Sequence, residues 1–146
     1  MSDYTNLRNI NRGYMKLDAW KKGMELFQLV WNIVHRDATI DFKLRSQISD
    51  AAQSVSSNIA EGYSRRSIKE YIQFLYFILG SLSEVLTRSI GLTTTRQISE
   101  AQFQQIDSLH YGVENKLVRL VESLQKKKEE GTWSDRISED IADFNP

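Results

Sequence analysis

Apolar residues recur along most of the chain at alternating intervals of three and four, which is the spacing of one face of an α-helix. Four segments follow this pattern. Their apolar positions are Leu17, Trp20, Met24, Phe27, Trp31 and Val34; Leu44, Ile48, Ala51, Val55 and Ile59; Tyr71, Leu75, Ile78, Leu82, Val85, Ser89 and Leu92; and Phe103, Ile106, His110, Val113, Leu117, Leu120 and Leu124. Because the segments are each about 20 to 27 residues long and their connections are short, we predict an all-α chain that folds as an up-down-up-down four-helix bundle.

Residues that cap helices stand in front of the predicted segments. The candidates share a side-chain oxygen that can accept a bond from a free backbone N–H, and they are Asp18, Asp41, Ser67 and Ser99. Glu70 and Gln102 follow two of them by three residues, as in a capping box. Gly62 fits the left-handed position that ends many helices, which predicts a second helix from Phe42 to Gly62. The run from Thr93 to Thr95 predicts a loop, since Thr is a poor helix former.

Composition narrows the classes of protein that this chain can represent. Its 146 residues suit one domain and include no Cys, which excludes disulfides, thiolate zinc sites, iron–sulfur clusters and a cysteine nucleophile. Seven Gly and a single Pro at position 146 argue against a fold with many β-turns. Residues 1–16 lack the apolar run of a signal peptide, and no stretch approaches 18 uncharged apolar residues. We therefore expect a cytoplasmic protein without a membrane partner.

The charges are distributed unevenly although they sum to zero. Residues 1–128 carry 18 basic and 13 acidic side chains, whereas residues 129–146 carry one basic and six acidic side chains. The predicted organisation is an N-terminal arm (1–16), the helical bundle (17–128) and an acidic C-terminal tail (129–146). Trp133, Ile137, Ile141 and Phe144 have helical spacing, so the tail could dock on its own subunit or on a neighbour. It could also cover a basic surface and compete with nucleic acid.

One stretch of the chain resembles a known family. It reads Ser57-Asn58-Ile59-Ala60-Glu61-Gly62-Tyr63, then Lys69-Glu70-Tyr71, then Gly80-Ser81-Leu82 with Glu84. This pattern resembles the bacterial four-helix-bundle family named after intervening sequences in 23S ribosomal RNA. The resemblance implies a homo-oligomeric, pentameric, non-catalytic bundle without a cofactor, and it suggests RNA or DNA as a partner. The family often has two basic residues where this chain has Ser49 and Asp50, which weakens nucleic-acid binding by that face.

Members of that family resemble the accessory variability determinant of diversity-generating retroelements. That protein is a pentamer of such bundles and binds nucleic acid and a reverse transcriptase. The resemblance thus implies further copies of this chain as partners, together with RNA or DNA, and it suggests a reverse transcriptase or another protein.

Two groups of basic residues are candidates for binding nucleic acid. Arg65, Arg66 and Lys69 lie at the predicted turn between the second and third helices, and Tyr63 and Tyr71 flank them where they could stack on bases. The alternative is a solvated turn with Tyr71 in the core. The second group, Arg8, Arg12 and Lys16, lies on the N-terminal arm. Repetition of these positive charges in an oligomer would enlarge the surface available to phosphates.

The other motif residues have structural interpretations as well as functional ones. Asn58 and Glu61 lie three residues apart on one helical face, and they could form a ligand site or hydrogen bonds that fix the turn or the register between subunits. Gly80 and Ser81 lie in the middle of a helix and predict close approach of another helix, within the bundle or between subunits. Antiparallel pairing about residue 65 predicts that Arg45 faces Glu84.

Few residues suggest catalysis or metal binding. His110 follows Asp107 by three residues, but a di-iron bundle needs two Glu-x-x-His pairs, and the other His, His35, follows Asn32. We predict no metal site, an ordinary core or interface role for His110 and no enzymatic activity, since the hydrolase and nucleotide-binding motifs are missing from the sequence. The leading hypothesis is an oligomeric accessory module that binds nucleic acid. The alternative is a protein–protein scaffold that binds no nucleic acid.

Overall fold

The chain is all-helical wherever its structure is described. The computed structural model describes residues 4–65 and 67–132, and these ranges contain no strand. The four long helices are α1 (Asp18–Asn32), α2 (Phe42–Tyr63), α3 (Ile68–Thr94) and α4 (Glu100–Glu130). A 3-10 helix (Ile10–Lys16) precedes α1, and a π-helical turn (Ile33–Asp37) extends it. The all-α prediction is confirmed.

The helix ends confirm most of the predicted caps. Asp41 accepts bonds from the backbone N–H groups of Lys43 and Leu44, and Ser67 accepts one from Glu70. Ser99 and Gln102 form a complete capping box, each side chain accepting a bond from the other residue's backbone N–H.

Two predicted helix boundaries are wrong. Leu17, not Asp18, is the N-cap residue of α1 and makes no side-chain cap bond, so Asp18 lies in the first turn. Its carboxylate is 3.5 Å from Nζ of Lys116. Thr93 and Thr94 belong to α3, because their hydroxyls donate to backbone carbonyls one turn earlier and do not compete with the helix.

Gly62 is not the left-handed residue that ends α2. It lies inside the helix, which continues through Tyr63. A Cβ at this position would lie 2.8 Å from Cβ of Phe74 on α3. The absence of a side chain therefore allows α2 and α3 to approach closely. The glycine that does take the left-handed conformation after a helix is Gly131, the C-cap of α4, with φ of 64°.

Each long helix packs against the next one, and α4 packs against α1. Contacts far apart in sequence show that neighbouring helices are antiparallel. Ser56 donates to the Trp20 carbonyl, Arg88 donates to Gln47 across 2.9 Å, and His110 lies 2.6 Å from the Leu82 carbonyl. One end of the domain therefore contains the start of α1, the α2–α3 turn and the end of α4.

The interior matches the predicted face of α3 completely. All seven positions from Tyr71 to Leu92 that the periodicity selects are buried. Two predictions about α2 are wrong: Leu44 is 38% exposed, and Arg45 does not face Glu84. Glu84 pairs with Arg88 of its own helix at 2.9 Å, because α2 and α3 are shifted relative to the predicted register. On α1, Trp31 of the predicted apolar face is 40% exposed, whereas Leu26 and Val30 are buried.

The outward side of α3 carries several exposed apolar side chains among polar ones. Among the described residues, α3 is long and apolar enough to cross a membrane by length and composition, yet only 33% of that apolar window is buried. A core helix of a soluble protein passes the same test. The packing of α3 against α2 and α4 accounts for one face, and the other carries exposed Tyr76, Phe77 and Ile90.

Candidate nucleic-acid interface

Three basic segments lie at the same end of the helical domain. They are the N-terminal arm with Arg8, Arg12 and Lys16, the α2–α3 turn with Arg65 and Lys69, and the last turns of α4 with Lys126, Lys127 and Lys128. We call this region the basic end. The sequence separates these segments by many residues, and antiparallel packing brings them together. Arg66, the third predicted residue of the turn, lies outside the described residues.

Aromatic contacts connect the arm to the α2–α3 turn. The ring of Tyr14 lies 5.6 Å from Trp20 and 6.2 Å from Tyr63, and Tyr63 lies 6.3 Å from Tyr71. Edge-to-face packing of this kind stabilises an interior beyond the area it buries. The 3-10 helix of the arm is thus packed on the helices, an arrangement that the sequence analysis did not anticipate.

Tyr63 and Tyr71 cannot be the predicted platform for bases. Their side chains are 8% and 2% exposed, respectively, because each ring packs edge-on against the other and into the interior. Stacking on a base requires an open ring face. The alternative interpretation, in which Tyr71 belongs to the core, is confirmed.

Several cations of the basic end already have intramolecular contacts. Arg65 pairs with Glu61 at 3.2 Å and lies over the ring of Phe74, 5.2 Å from its centroid. Arg12 donates to the Thr5 hydroxyl and the Leu7 carbonyl. Arg8 donates to the Thr5 carbonyl. These contacts hold the guanidinium groups at the surface without removing their charge, so the end can attract phosphates through its summed field.

The ends of α3 and α4 complete this surface. Lys69 is exposed on the first turn of α3, and Lys126 to Lys128 are exposed on α4. Lys126 lies 4.0 Å from Glu130, a contact typical of weak exposed pairs. Such pairs are screened by salt and separate easily when a phosphate competes.

The remaining motif residues do not form a ligand site. Asn58 donates to the Ser54 carbonyl one turn earlier at 2.7 Å, and Glu61 pairs with Arg65, so both act locally at the end of α2. A Cβ placed on Gly80 would meet nothing within 4 Å beyond its own helix backbone, so none of the other described helices approaches it. Ser81 is half-buried and Glu84 is exposed.

A second cluster, missed by the sequence analysis, lies at the opposite end. The His35 ring stacks on Trp31 with centroids 3.7 Å apart, and its Nε2 is 3.0 Å from Oγ of Ser49. Burial and, secondarily, the nearby Arg45 guanidinium lower the pKa of His35 below 6.5. The sequence did contain one indication of this contact, because Trp31 and His35 are four residues apart and side chains at that spacing lie side by side on a helix.

This cluster lacks the arrangement of a hydrolase. A serine nucleophile needs an accessible hydroxyl and a histidine held by a third, usually acidic, group. Ser49 is buried on α2, and the charged group that acts on His35 is the cation Arg45. His110 is buried, and its Nε2 contacts the Leu82 carbonyl, which confirms its interpretation as a core residue. Within residues 4–65 and 67–132, no group of three His, Asp or Glu side chains could hold a metal ion.

Comparison with known proteins identifies the family. The family model of the 23S rRNA-intervening sequence proteins matches residues 15–130. The chain belongs to this family. A crystal structure of a protein of unknown function from the S23 ribosomal protein family of Bacteroides thetaiotaomicron superposes with a TM-score of 0.56 at 18% identity, covering 77% of this chain and 98% of that one. At this identity the likeness concerns the fold. No curated protein matches the chain.

The family match covers only part of the basic end. It covers Lys16, the α2–α3 turn and the lysines of α4, and it ends at Glu130, the last residue of α4. Arg8 and Arg12 precede it. The predicted tail helix with Trp133 and Phe144 follows it and lies outside the described residues. The family portion thus contains two of the three basic segments and part of the third.

Proposed function

We propose that this member of the 23S rRNA-intervening sequence protein family is a non-enzymatic, cytoplasmic accessory module that binds RNA or DNA through the basic end. In this proposal the four helices form an up-down-up-down bundle, and five copies assemble into a ring. The observation that carries the proposal is the convergence of three basic segments at one end of the domain.

The mechanism is electrostatic. Arginine and lysine side chains that replace counterions around phosphates supply affinity without reading sequence. Each subunit contributes a small set of cations, and a ring repeats that set around its axis. Repetition raises the number of phosphates that one nucleic acid can contact, and linked contacts strengthen one another through effective concentration. The buried tyrosines are consistent with this mechanism, which needs no base stacking.

The test is a salt titration of binding to a structured RNA and to a DNA duplex. We expect the logarithm of the binding constant to fall linearly with the logarithm of the salt concentration. The triple variant Lys69→Gln, Lys126→Gln, Lys128→Gln should weaken binding at least tenfold at low salt and reduce the slope. No binding by the wild-type protein at low salt would refute the proposal.

A matched control uses cations at the opposite end. Lys43 and Arg96 are exposed there, outside the basic end. Lys43→Gln with Arg96→Gln removes charge from the same protein and should leave the slope nearly unchanged. Equal losses in the two variants would mean that overall charge, and not the basic end, governs binding.

The exposed apolar side of α3 favours one alternative, a protein–protein scaffold. Phe77 and Tyr76 are more than half exposed there, and apolar side chains gathered on a surface often mark a protein partner. A reverse transcriptase is the partner class that the sequence resemblance suggests. Capture of such an enzyme by a chain that binds no nucleic acid would favour this alternative.

A further inference from the structure

The outward side of α3 presents Phe77, its most exposed large apolar side chain, as a knob beside an open position. Phe77 is 62% exposed. Gly80 follows it by three residues, and among residues 4–65 and 67–132 no atom outside the local helix backbone lies within 4 Å of a Cβ placed there. The next charges along this side, Glu84 and Arg88, pair with each other at 2.9 Å. Phe77 therefore lies on a part of α3 whose nearby charges are paired, which suits a protein surface better than a polyanion.

An apolar hollow lies on another side of the domain, between α1 and α2. Its volume is about 250 Å³, and its lining includes Met24 and Phe27 of α1 and Ser57 and Ala60 of α2. The two helices approach closely nearby, since a Cβ on Gly23 would lie 2.7 Å from Oγ of Ser56. Small residues on α2 thus leave space above the helices that no side chain of residues 4–65 and 67–132 fills.

The knob and the hollow lie at the same level along the helices. Phe74 contacts Gly62, and α2 and α3 are antiparallel, so Phe77 lies one turn further from the α2–α3 turn. Phe77 also shares a surface groove with Asn58. The hollow is lined by Ser57 and Ala60, the residues that flank this part of α2. A knob and a hollow at equal height on different sides match a head-to-tail contact, which closes into a ring when the rotation between copies permits.

We propose that Phe77 of one copy inserts into the α1–α2 hollow of the next copy, with Gly80 allowing the neighbouring helix to approach. The occupant is a second copy because the chain itself carries both the knob and a hollow at matching height. This inference rests on the self-assembly in the proposed function and assigns the surfaces that produce it. Each subunit uses two different surfaces, so each contact can be blocked from either side.

Two single variants test the contact. Phe77→Glu removes the knob, and Ser57→Trp fills the hollow from its exposed rim. Each variant should sediment as a monomer while keeping the helical circular dichroism of the wild type. Mixing them should give a heterodimer, because the intact Phe77 of the Ser57→Trp chain fits the intact hollow of the Phe77→Glu chain. Tyr111→Ala is the control, since Tyr111 is an exposed aromatic residue of α4 away from both surfaces.

The outcomes separate this contact from the proposed function. Unchanged assembly of Phe77→Glu, or the absence of a heterodimer in the mixture, overturns the contact and leaves the ring possible through other surfaces. A wild-type protein that is monomeric at all concentrations overturns the assembly itself. Salt-dependent RNA binding by the monomeric variants, measured in parallel, reports on the basic end independently.

Discussion

The two ends of the helical domain differ in which side chains they bury. At the basic end, Tyr63 and Tyr71 are buried and the cations lie outside. At the opposite end, Trp31 and Phe42 are exposed, whereas Nε of Arg45 is buried without a hydrogen-bond partner. Burial of a charged donor without a partner is costly. The basic end therefore keeps its charges at the surface over buried rings, whereas the opposite end buries a charged donor without a hydrogen-bond partner.

The largest predicted difference concerns aromatic residues at the two ends. Tyr71→Ala should destabilise the protein by about 3–5 kcal/mol, because it removes a ring that is almost fully buried against Tyr63. Phe42→Ala should change stability by no more than about 0.5 kcal/mol, since its side chain is 71% exposed. Urea unfolding followed by circular dichroism measures both. Similar losses would show that the opposite end is more tightly packed than its exposure indicates.

Two glycines sharpen the comparison. Gly62→Ala, near the basic end, should cost about 1–3 kcal/mol, because its Cβ would lie 2.8 Å from Cβ of Phe74. Gly91→Ala, near the opposite end of α3, should stabilise the protein by about 0.5–1 kcal/mol. The added Cβ would meet no other described part of the chain within 4 Å, and Ala favours a helix. Thermal unfolding should show a lower melting temperature for Gly62→Ala and a higher one for Gly91→Ala. A destabilised Gly91→Ala would point to a contact with another chain at that position.

The buried positions of a helix could be predicted from sequence where a single periodic pattern of apolar residues selected one face. Every predicted core position of α3 is buried, because a continuous run of apolar residues at helical spacing leaves little choice of face. The N-caps Asp41, Ser67 and Ser99 could be predicted as well, because each side chain bonds to a backbone N–H two or three residues later. These predictions depended on residues close together in the chain.

Several other predictions failed because the outcome depended on contacts between distant segments. The role of Gly62 depends on Phe74 of the next helix, and the partner of Glu84 depends on the register between α2 and α3. The basic end could be predicted only in part, because its three segments are far apart in sequence and meet through antiparallel packing. Tyr63 looked accessible beside a basic turn, but packing of the arm through Tyr14 covers it.

The smallest predicted effect is a pH dependence confined to the opposite end. The pKa of His35 is lowered in the folded protein, by burial first and by Arg45 second. As the pH falls below about 6.5, the unfolded chain takes up a proton at this position before the folded chain does. The stability that neutral His35 contributes is therefore present above that pH and is lost as the pH falls toward the lowered folded value.

Unfolding at a series of pH values between 7.5 and about 5 measures this loss, and NMR titration of the ring measures the pKa directly. His35→Gln keeps a polar side chain beside Ser49 and should flatten the dependence, while carboxylates common to both proteins cancel in the difference. A His35 pKa at or above 6.5, or equal slopes in wild type and His35→Gln, would show that Arg45 and burial do not act on the ring. The opposite end would then differ from the basic end in side-chain exposure, without a shifted histidine pKa.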